Sequence, residues 1–436
     1  MKIAVLGLWH QGVVSAACLA DMGFEVVGAD PDVQRIAELR NGRAPLFEPG
    51  LDALLEKGVT SGKLGFTADV VSAVRDVPYV FVMFDTPVNE KDESDLSGIF
   101  ETFEQIAPAV TDDAVILVTA QVPVGTCDRL IEIVKAGKTG SSASIAYIPE
   151  NLRLGQAIER FRAPALPVIG CDDQRTFERM LTIFGSTASN WQHVSLRTGE
   201  MVKHALNAFL ALSICFANEL GNLCDEVGAD GKRVGEVLRM EPRIGTKAML
   251  MPGLGFSGGT LARDMQTLRS LGRNGNIPTP LLDGAWQSNI QQNELVVRKL
   301  RRALPKLAGA RIAVLGLTYK PDTSTLRRSA ALEVIADLTA AGAVVAAHDP
   351  KADAEEIKAL SSCTLYADAL AALEGADGLV LMTPWSDYKN LDFEAAKKAM
   401  AGTYVLDTAG LWDGKRVSAA GLMFDEIGRG RRIAIT

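Results

Sequence analysis

A lysine and an asparagine four residues apart, Lys203 and Asn207, interrupt an otherwise apolar helical stretch. That spacing places both on one helix face, shared with Glu200 and small residues. Two readings fit the pair: a satisfied structural couple, or donors that stabilise negative charge developing on a reacting oxygen. Further along, residues 251–264 read MPGLGFSGGTLARD, with four glycines in the seven residues 253–259 around Phe256. Such a run predicts a tight loop that delivers Thr260, Arg263 and Asp264 to the start of a helix. His204 falls on a different face from the pair and reads as structural. The chain holds four histidines and six cysteines, without HExxH or CxxC spacing, so no metal site is expected. Thiols in apolar or mixed runs predict a reduced, cytoplasmic protein rather than a disulfide framework.

A second constellation lies at the N-terminus. Residues 2–8 read KIAVLGL, leading into GLWHQG at 7–12, a helical pattern and a second apolar run ending in Asp30. In a dinucleotide fold the first glycine makes the tight turn and the last permits close helix–strand packing. The helix N-terminus then meets the pyrophosphate, and the acid takes the ribose hydroxyls. Gly7, Gly12 and Asp30 fill three of these roles. Trp9 stands where the middle glycine would let backbone approach phosphate, so its side chain must point away or the cofactor must shift. The expected cofactor is NAD, because a carboxylate at 30 repels the 2′-phosphate of NADP. Arg35 reads equally as a cover for the adenine ribose or as a solvated helix arginine.

Positioning these residues requires an α/β scaffold. RIAVLGL at 311–317 repeats the opening run, and each copy starts a series of short apolar strands alternating with helices. Strands are expected at 2–7, 25–29, 79–84, 114–119, 144–147 and 167–169, and again at 311–316, 343–347, 378–382 and 403–407. Between about 197 and 295 the strand signals vanish, and helices are expected over 198–223, 260–272 and 280–304. The expected fold is therefore two Rossmann-like, doubly wound domains joined by a long central helix and a helical middle. The domains are set at 1–196 for NAD, 197–304 for helices and dimerisation, and 305–436 for a second nucleotide ligand. The second glycine strand lacks a pyrophosphate-binding turn. Lys320, Arg327 and Arg328 form a basic cluster near its end, suited to a phosphate-bearing ligand or simply to surface charge. The chain of 436 residues is 47% hydrophobic and carries net charge −8, which disfavours a polyanion as partner. No nucleic acid and no membrane is expected as partner; the apolar stretch near 205–217 is broken by Asn207 and Ser213 and falls short of a span.

Several motifs together resemble the UDP-glucose/GDP-mannose dehydrogenase family. They are NGRAPLFEPGL at 41–51, VPVGT at 122–126, IPENLRLGQAI at 148–158 and EMVKHALNAFLALSICFANELGNLCDEVGAD at 200–230. PGLGFSGGTLARD at 252–264, GLTYKPDTSTLR at 316–327 and HDP at 348–350 continue the order, which runs from Lys2 to the EIGRG near 426–430. The resemblance implies an NAD domain, a dimerising helical spine and a C-terminal domain that helps bind a nucleoside-diphospho-sugar, with a UDP-sugar as first expectation. Family members oxidise the sugar's primary alcohol through an aldehyde to a carboxylate, using two NAD. By matching position, Lys203 resembles the lysine that stabilises the oxyanions, Asn207 its partner, and Asp264 the acid that holds the catalytic water network. Glu150 matches the first glutamate of the PEFLxEG loop. Arg263 takes the place of a cofactor-contacting lysine, and Thr86 sits in the TP turn beside NAD. Lys320 and Arg327 fall where the family grips sugar nucleotide and cofactor respectively. Leu152, Phe256 and Gly259 lie in the segments expected to line the substrate.

The departures are concentrated at the chemistry. The family's GGSCFxKD loop holds a nucleophilic cysteine, and this chain has GGTLARD, with Thr260 at that place. Leu154 replaces the second glutamate of PEFLxEG, and Gln121, on the cofactor side, stands where STVP has threonine. A threonine hydroxyl is far less available as an anion near neutral pH than a thiol. Three functions follow: hydride removal with an altered second stage, the full four-electron oxidation through an aldehyde hydrate, or a non-catalytic binding relative.

Overall fold

In this computed structural model the structure describes residues 1–429 apart from 85, 88–93, 151, 257–258, 327–328 and 361. Arg327 and Arg328 thus lie outside the described residues. The chain forms two compact units, Met1–Leu206 and Asn207–Thr436.

The first unit is built on eight strands: β1 (Lys2–Leu6), β2 (Glu25–Ala29), β3 (Leu64–Thr67), β4 (Tyr79–Val82), β5 (Val115–Val118), β6 (Ser144–Tyr147), β7 (Val168–Gly170) and β8 (Gln192–Val194). They lie in the order β3-β2-β1-β4-β5-β6-β7-β8. Every neighbour pair is parallel except β6 with β7. Ile3 to Leu6 of β1, and all of β4 and β5, are buried, as a strand covered on both faces requires. Helix α1 (His10–Asp21) is buried from Gln11 to Ala20 against one face, with Cys18 and Leu19 in the same core as Ile3 and Phe81. Helices α2 (Thr126–Gly137) and α3 (Ala157–Arg162) follow β5 and β6. Cys127 and Leu130 of α2 pack into the core on the opposite face.

Helix α4 (Leu196–Val227) runs for 32 residues and continues into the second unit. The sequence reading ended this helix at 223 and judged its apolar part too short for a membrane. The observed helix is long and apolar enough, by length and composition, to cross one, although 44% of its most apolar window is buried within the protein. Its buried polar side chains, among them Glu200, Lys203, His204 and Asn207, all bond to protein partners.

In the second unit α5 (Gly231–Leu238), α6 (Gly259–Asn274) and α7 (Pro280–Ala303) precede a second sheet. Ala208, Ala211 and Cys215 of α4 pack with Phe256, Met265 of α6 and Ala285 of α7. The sheet comprises β9 (Arg311–Leu315), β10 (Val344–His348), β11 (Thr364–Leu365), β12 (Gly378–Leu381), β13 (Tyr404–Asp407) and β14 (Met423–Glu426). Its order is β11-β10-β9-β12-β13-β14, parallel throughout. Helix α8 (Ala330–Ala340) lies between β9 and β10 in sequence and is capped by Ser329. In both sheets the chain direction of winding reverses beside the first strand, between β1 and β4 and between β9 and β12. Ligands of open α/β sheets bind in that crevice.

Candidate active site

At the first crevice, Gly7 leaves β1 with φ +87°, a conformation L side chains rarely adopt. A Cβ on Gly12 would stand 1.7 Å from the Gly7 carbonyl oxygen, so both glycines do the work assigned to them from sequence. Asp30 is 3% exposed. Its Oδ2 accepts from the Leu8 backbone N–H at 2.7 Å and from Arg35 Nη1 at 2.7 Å, and its Oδ1 accepts from the Asp32 N–H at 3.0 Å. Arg35 is therefore no solvated arginine. It also pairs with Asp32 at 3.3 Å and holds its guanidinium 5.1 Å from the Trp9 ring centroid. Trp9 caps α1 with φ −80° in an extended conformation, and its indole turns towards Arg35. A cavity of about 340 Å³ is lined by Gly7, Trp9, Asp30, Arg35, Met83 and Phe84. A tight glycine turn, a free helix start and a buried carboxylate fit the dinucleotide, with the indole forming part of the wall.

Across this unit, Thr86 is buried and donates to the Gln121 carbonyl at 2.9 Å. Gln11 reaches the Thr119 carbonyl at 2.7 Å and the Thr119 hydroxyl at 2.8 Å, tying the turn to the segment after β5. Glu200, fully buried, accepts from the N–H groups of Gly125 at 2.6 Å and Cys127 at 2.8 Å at the start of α2. Burial pushes its carboxyl above the ordinary carboxylate range despite those bonds. His204 bonds the Val122 carbonyl at 2.8 Å, a structural role as expected.

Lys203 is 3% exposed. Its Nζ donates to the Glu150 carbonyl and stands 3.5 Å from Glu150 Oε2. The Leu152 N–H donates to Glu150 Oε1 at 2.8 Å, while Leu154 is exposed. An ammonium buried against one carbonyl and a distant carboxylate is preorganised to meet negative charge with little reorganisation.

One turn along α4, in the second unit, Asn207 donates through Nδ2 to Asp264 Oδ2. Asp264 is fully buried in the first turns of α6, and Thr260 is exposed at that helix's second residue. Arg263 is half-buried on the same helix. The glycine loop before it is held by side-chain amides that sequence reasoning missed. Asn218 accepts from Gly253 N–H at 2.8 Å and donates to the Leu254 carbonyl at 2.9 Å. Asn289 accepts from Phe256 N–H at 2.6 Å and donates back to the Phe256 carbonyl at 3.1 Å. Gln292 donates to the Gly253 carbonyl at 2.6 Å. The available signal was QSNIQQN at 287–293, amides recurring at helical spacing on a helix with an apolar core face.

At the second crevice, a cavity of about 290 Å³ is lined by Pro252 to Gly255 of this loop, Thr318 and Tyr319 after β9, Ser329 to Ala331 at the start of α8, and Thr383 and Thr408 after β12 and β13. Lys320 stands beside it, its ammonium 5.5 Å from the Tyr319 ring centroid. Asp349 ends β10 as Asp30 ends β2, and its Oδ2 accepts from the Leu317 N–H at 2.6 Å. The same oxygen also receives Thr318 N–H at 3.0 Å and Trp385 Nε1 at 3.2 Å. The bond from Leu317 N–H repeats the one that Leu8 N–H makes to Asp30 in the first unit.

Three segments of the chain match models of one known family. Residues 1–188 match the NAD binding domain of the UDP-glucose/GDP-mannose dehydrogenase family, 197–291 its central domain and 313–414 its UDP binding domain. The UDP-glucose 6-dehydrogenase of Rhizobium meliloti is 34% identical, the match covering 98% of this chain and 100% of that protein. The UDP-glucose dehydrogenase of the archaeon Pyrobaculum islandicum superposes with a TM-score of 0.87 at 30% identity, covering 98% of this chain and 97% of that one. The UDP-D-ManNAc dehydrogenase of Pyrococcus horikoshii gives 0.85 at 25% identity, over 98% and 99%. With its glycine turn, one mostly and one wholly parallel sheet, and its full-length match, the chain belongs to the UDP-glucose/GDP-mannose dehydrogenase family.

Proposed function

We propose that this protein is an NAD-dependent oxidoreductase that removes hydride from the primary alcohol of a nucleoside-diphospho-sugar, a UDP-sugar first, and that its second oxidation stage is altered. NAD, when bound at the first crevice, supplies the hydride acceptor. Gly7, Gly12, Asp30, Arg35, Thr86, Gln121 and Arg263 are assigned to holding it, Arg327 on resemblance alone. Lys203 and Asn207 meet charge developing on the substrate oxygen, and Asp264 orients Asn207. Glu150, Leu152, Phe256, Gly259 and Lys320 are assigned to the substrate. The domain division 1–196, 197–304 and 305–436 belongs to the same proposal, as does a cytoplasmic site of action. The observation that carries the reading is the buried Lys203, whose ammonium is held by the carbonyl and one carboxylate oxygen of Glu150.

Thr260 supports the altered second stage. It is exposed on the first turn of α6, and among the described residues no base contacts its hydroxyl. Thr260→Ala is expected to leave the first hydride transfer within about tenfold, a barrier change of about 1.4 kcal/mol. The expected yield is one NADH per sugar and a carbonyl product, read by absorbance and by mass spectrometry with a carbonyl trap. Carboxylate at two NADH per sugar, lost in Thr260→Ala, would instead establish an activated threonine. Two NADH per sugar retained in that variant favours the aldehyde-hydrate route. No NADH with any UDP-, GDP-, CDP- or dTDP-sugar favours a binding relative.

A homodimer through α4 is part of the proposal. Phe209, Phe216 and Leu223 recur every seven residues along it at 67%, 54% and 64% exposure, with Val227 one turn on at 75%. A seam with that repeat is what a helix pairing with a second helix presents. Sedimentation is expected to give a dimer of the 46.6 kDa chain, and Phe216→Glu a monomer. A wild-type monomer at micromolar concentration would contradict it.

A further inference from the structure

Glu48 lies in the NGRAPLFEPGL segment, far in sequence from every residue given a role above. Its side chain is 1% exposed. Oε2 contacts His10 Nε2 at 3.0 Å and accepts from the Gly155 N–H at 2.8 Å, and Oε1 accepts from the Ala157 N–H at 2.7 Å. His10 is the first residue of α1, where the glycine turn ends. Gly155 and Ala157 close the loop that begins at Glu150, and Ala157 starts α3, whose own cap residue Gln156 makes no side-chain cap bond. The other end of the loop holds Lys203 through Glu150.

We propose that Glu48 is a positioning residue for Lys203: it fixes the 150–157 loop from the dinucleotide turn through His10. The inference rests on the reading of Lys203 as the oxyanion-stabilising lysine. The geometry supplies contacts within the first unit from His10 to Glu48, from Glu48 to Gly155 and Ala157, and from Glu150 to Lys203, with Gly155 five residues along the chain from Glu150. A carboxylate is needed at its centre, because three donors converge on its two oxygens. A glutamine presents one acceptor oxygen and one NH2 group, so it cannot receive all three. Burial alone would raise the Glu48 carboxyl, but the bonds from His10, Gly155 and Ala157 outweigh it and hold the group below the ordinary carboxylate range. The acceptor therefore stays charged at neutral pH.

The test uses the full chain without ligand. Hydrogen exchange at the Gly155 and Ala157 amides is expected to speed up by about tenfold in Glu48→Gln, the loss of one bond to a charged acceptor. His10→Phe touches neither amide, yet it is expected to loosen both, and His10→Gln, which keeps a donor, to restore protection. Acylation of Lys203 by an amine reagent is expected to rise in Glu48→Gln. Amides that remain protected in His10→Phe overturn the link to the turn, and unchanged Lys203 labelling in Glu48→Gln overturns the positioning of the lysine. Failure of the wild type to bind NAD refutes the functional reading, whereas these exchange and labelling results decide the role of Glu48 independently of it.

Discussion

Lys203→Ala is expected to slow hydride removal by a few hundredfold, about 3–4 kcal/mol in barrier, the usual loss of one preorganised oxyanion donor in a dry site. Oxidising an alcohol transfers hydride from carbon while the oxygen loses its proton, so negative charge builds on that oxygen before the carbonyl forms. A lysine 3% exposed interacts with such a charge far more strongly than one in water. The substitution also strips the Glu150 carbonyl of its donor, so it weakens the loop as well as the charge interaction. Lys203→Met loses the same ammonium and the same bond but keeps most of the stem's packing, so it separates these two losses from that of packing. Both variants are expected to show the same deficit in rapid-mixing measurements of the first NADH, with unchanged NAD affinity by calorimetry. A first-turnover rate within tenfold of wild type in Lys203→Met would remove the lysine from the chemical step.

The contrast with Thr260 separates the two stages of the proposed reaction. In the proposed function the lysine serves the first oxidation, in which charge develops on oxygen, while a nucleophile at position 260 would serve only after an aldehyde exists. The exposed Thr260, with no base against it among the described residues, and the exposed Leu154 both bear on that later stage. On that proposal the groups retained serve charge stabilisation, and those replaced would serve covalent capture. The changes are thus separated by reaction step, which mere decay of an unused site does not predict.

Much of this arrangement was legible in the sequence because its signals are local. KIAVLGL and RIAVLGL each mark a central strand buried from its second residue onward, and both sheets grow outward from them. The strands that escaped notice, β3, β8, β11 and β14, lie at or near sheet edges and read LGFT, QHV, TL and MFDE. Each is half exposed or only two to four residues long, so none shows the continuous apolar run that marks a strand covered on both faces. Lys203, Asn207, Thr260 and Asp264 were found because charge or polarity interrupts an apolar helix or follows a glycine run. Arg35 was ambiguous because its partner Asp30 and its neighbour Trp9 meet it only once β2 and the turn are folded. Glu48 was invisible because its partners lie 38, 107 and 109 residues away. No spacing rule reaches that far.

Gly12→Ala is expected to cost about 3 kcal/mol of stability or more, at the upper end of overpacking, and to abolish NAD binding at millimolar concentration. The added Cβ would sit 1.7 Å from the Gly7 carbonyl oxygen and 2.9 Å from its carbon, far inside van der Waals contact with backbone that cannot rotate aside. Gly7 cannot yield either. It is pinned at φ +87° with its N–H on the Ala29 carbonyl at 3.0 Å, and a Cβ on Gly7 would meet Phe84 at 2.8 Å. The remaining motion is displacement of α1, whose Gln11–Ala20 stretch is buried against the sheet. That displacement opens the core around Ala16, Ala17 and Cys18 and withdraws the helix N-terminus from the place of the pyrophosphate. Gly23→Ala is the control. Gly23 has φ +99° but nothing within 4 Å of its would-be Cβ, so the change costs only the conformational strain, about 1–2 kcal/mol. Urea unfolding of the two variants, with calorimetric titration of NAD, reads the difference. Equal destabilisation with NAD binding retained in Gly12→Ala would mean that the turn tolerates a side chain, and that Gly12 is not what lets the helix reach the cofactor.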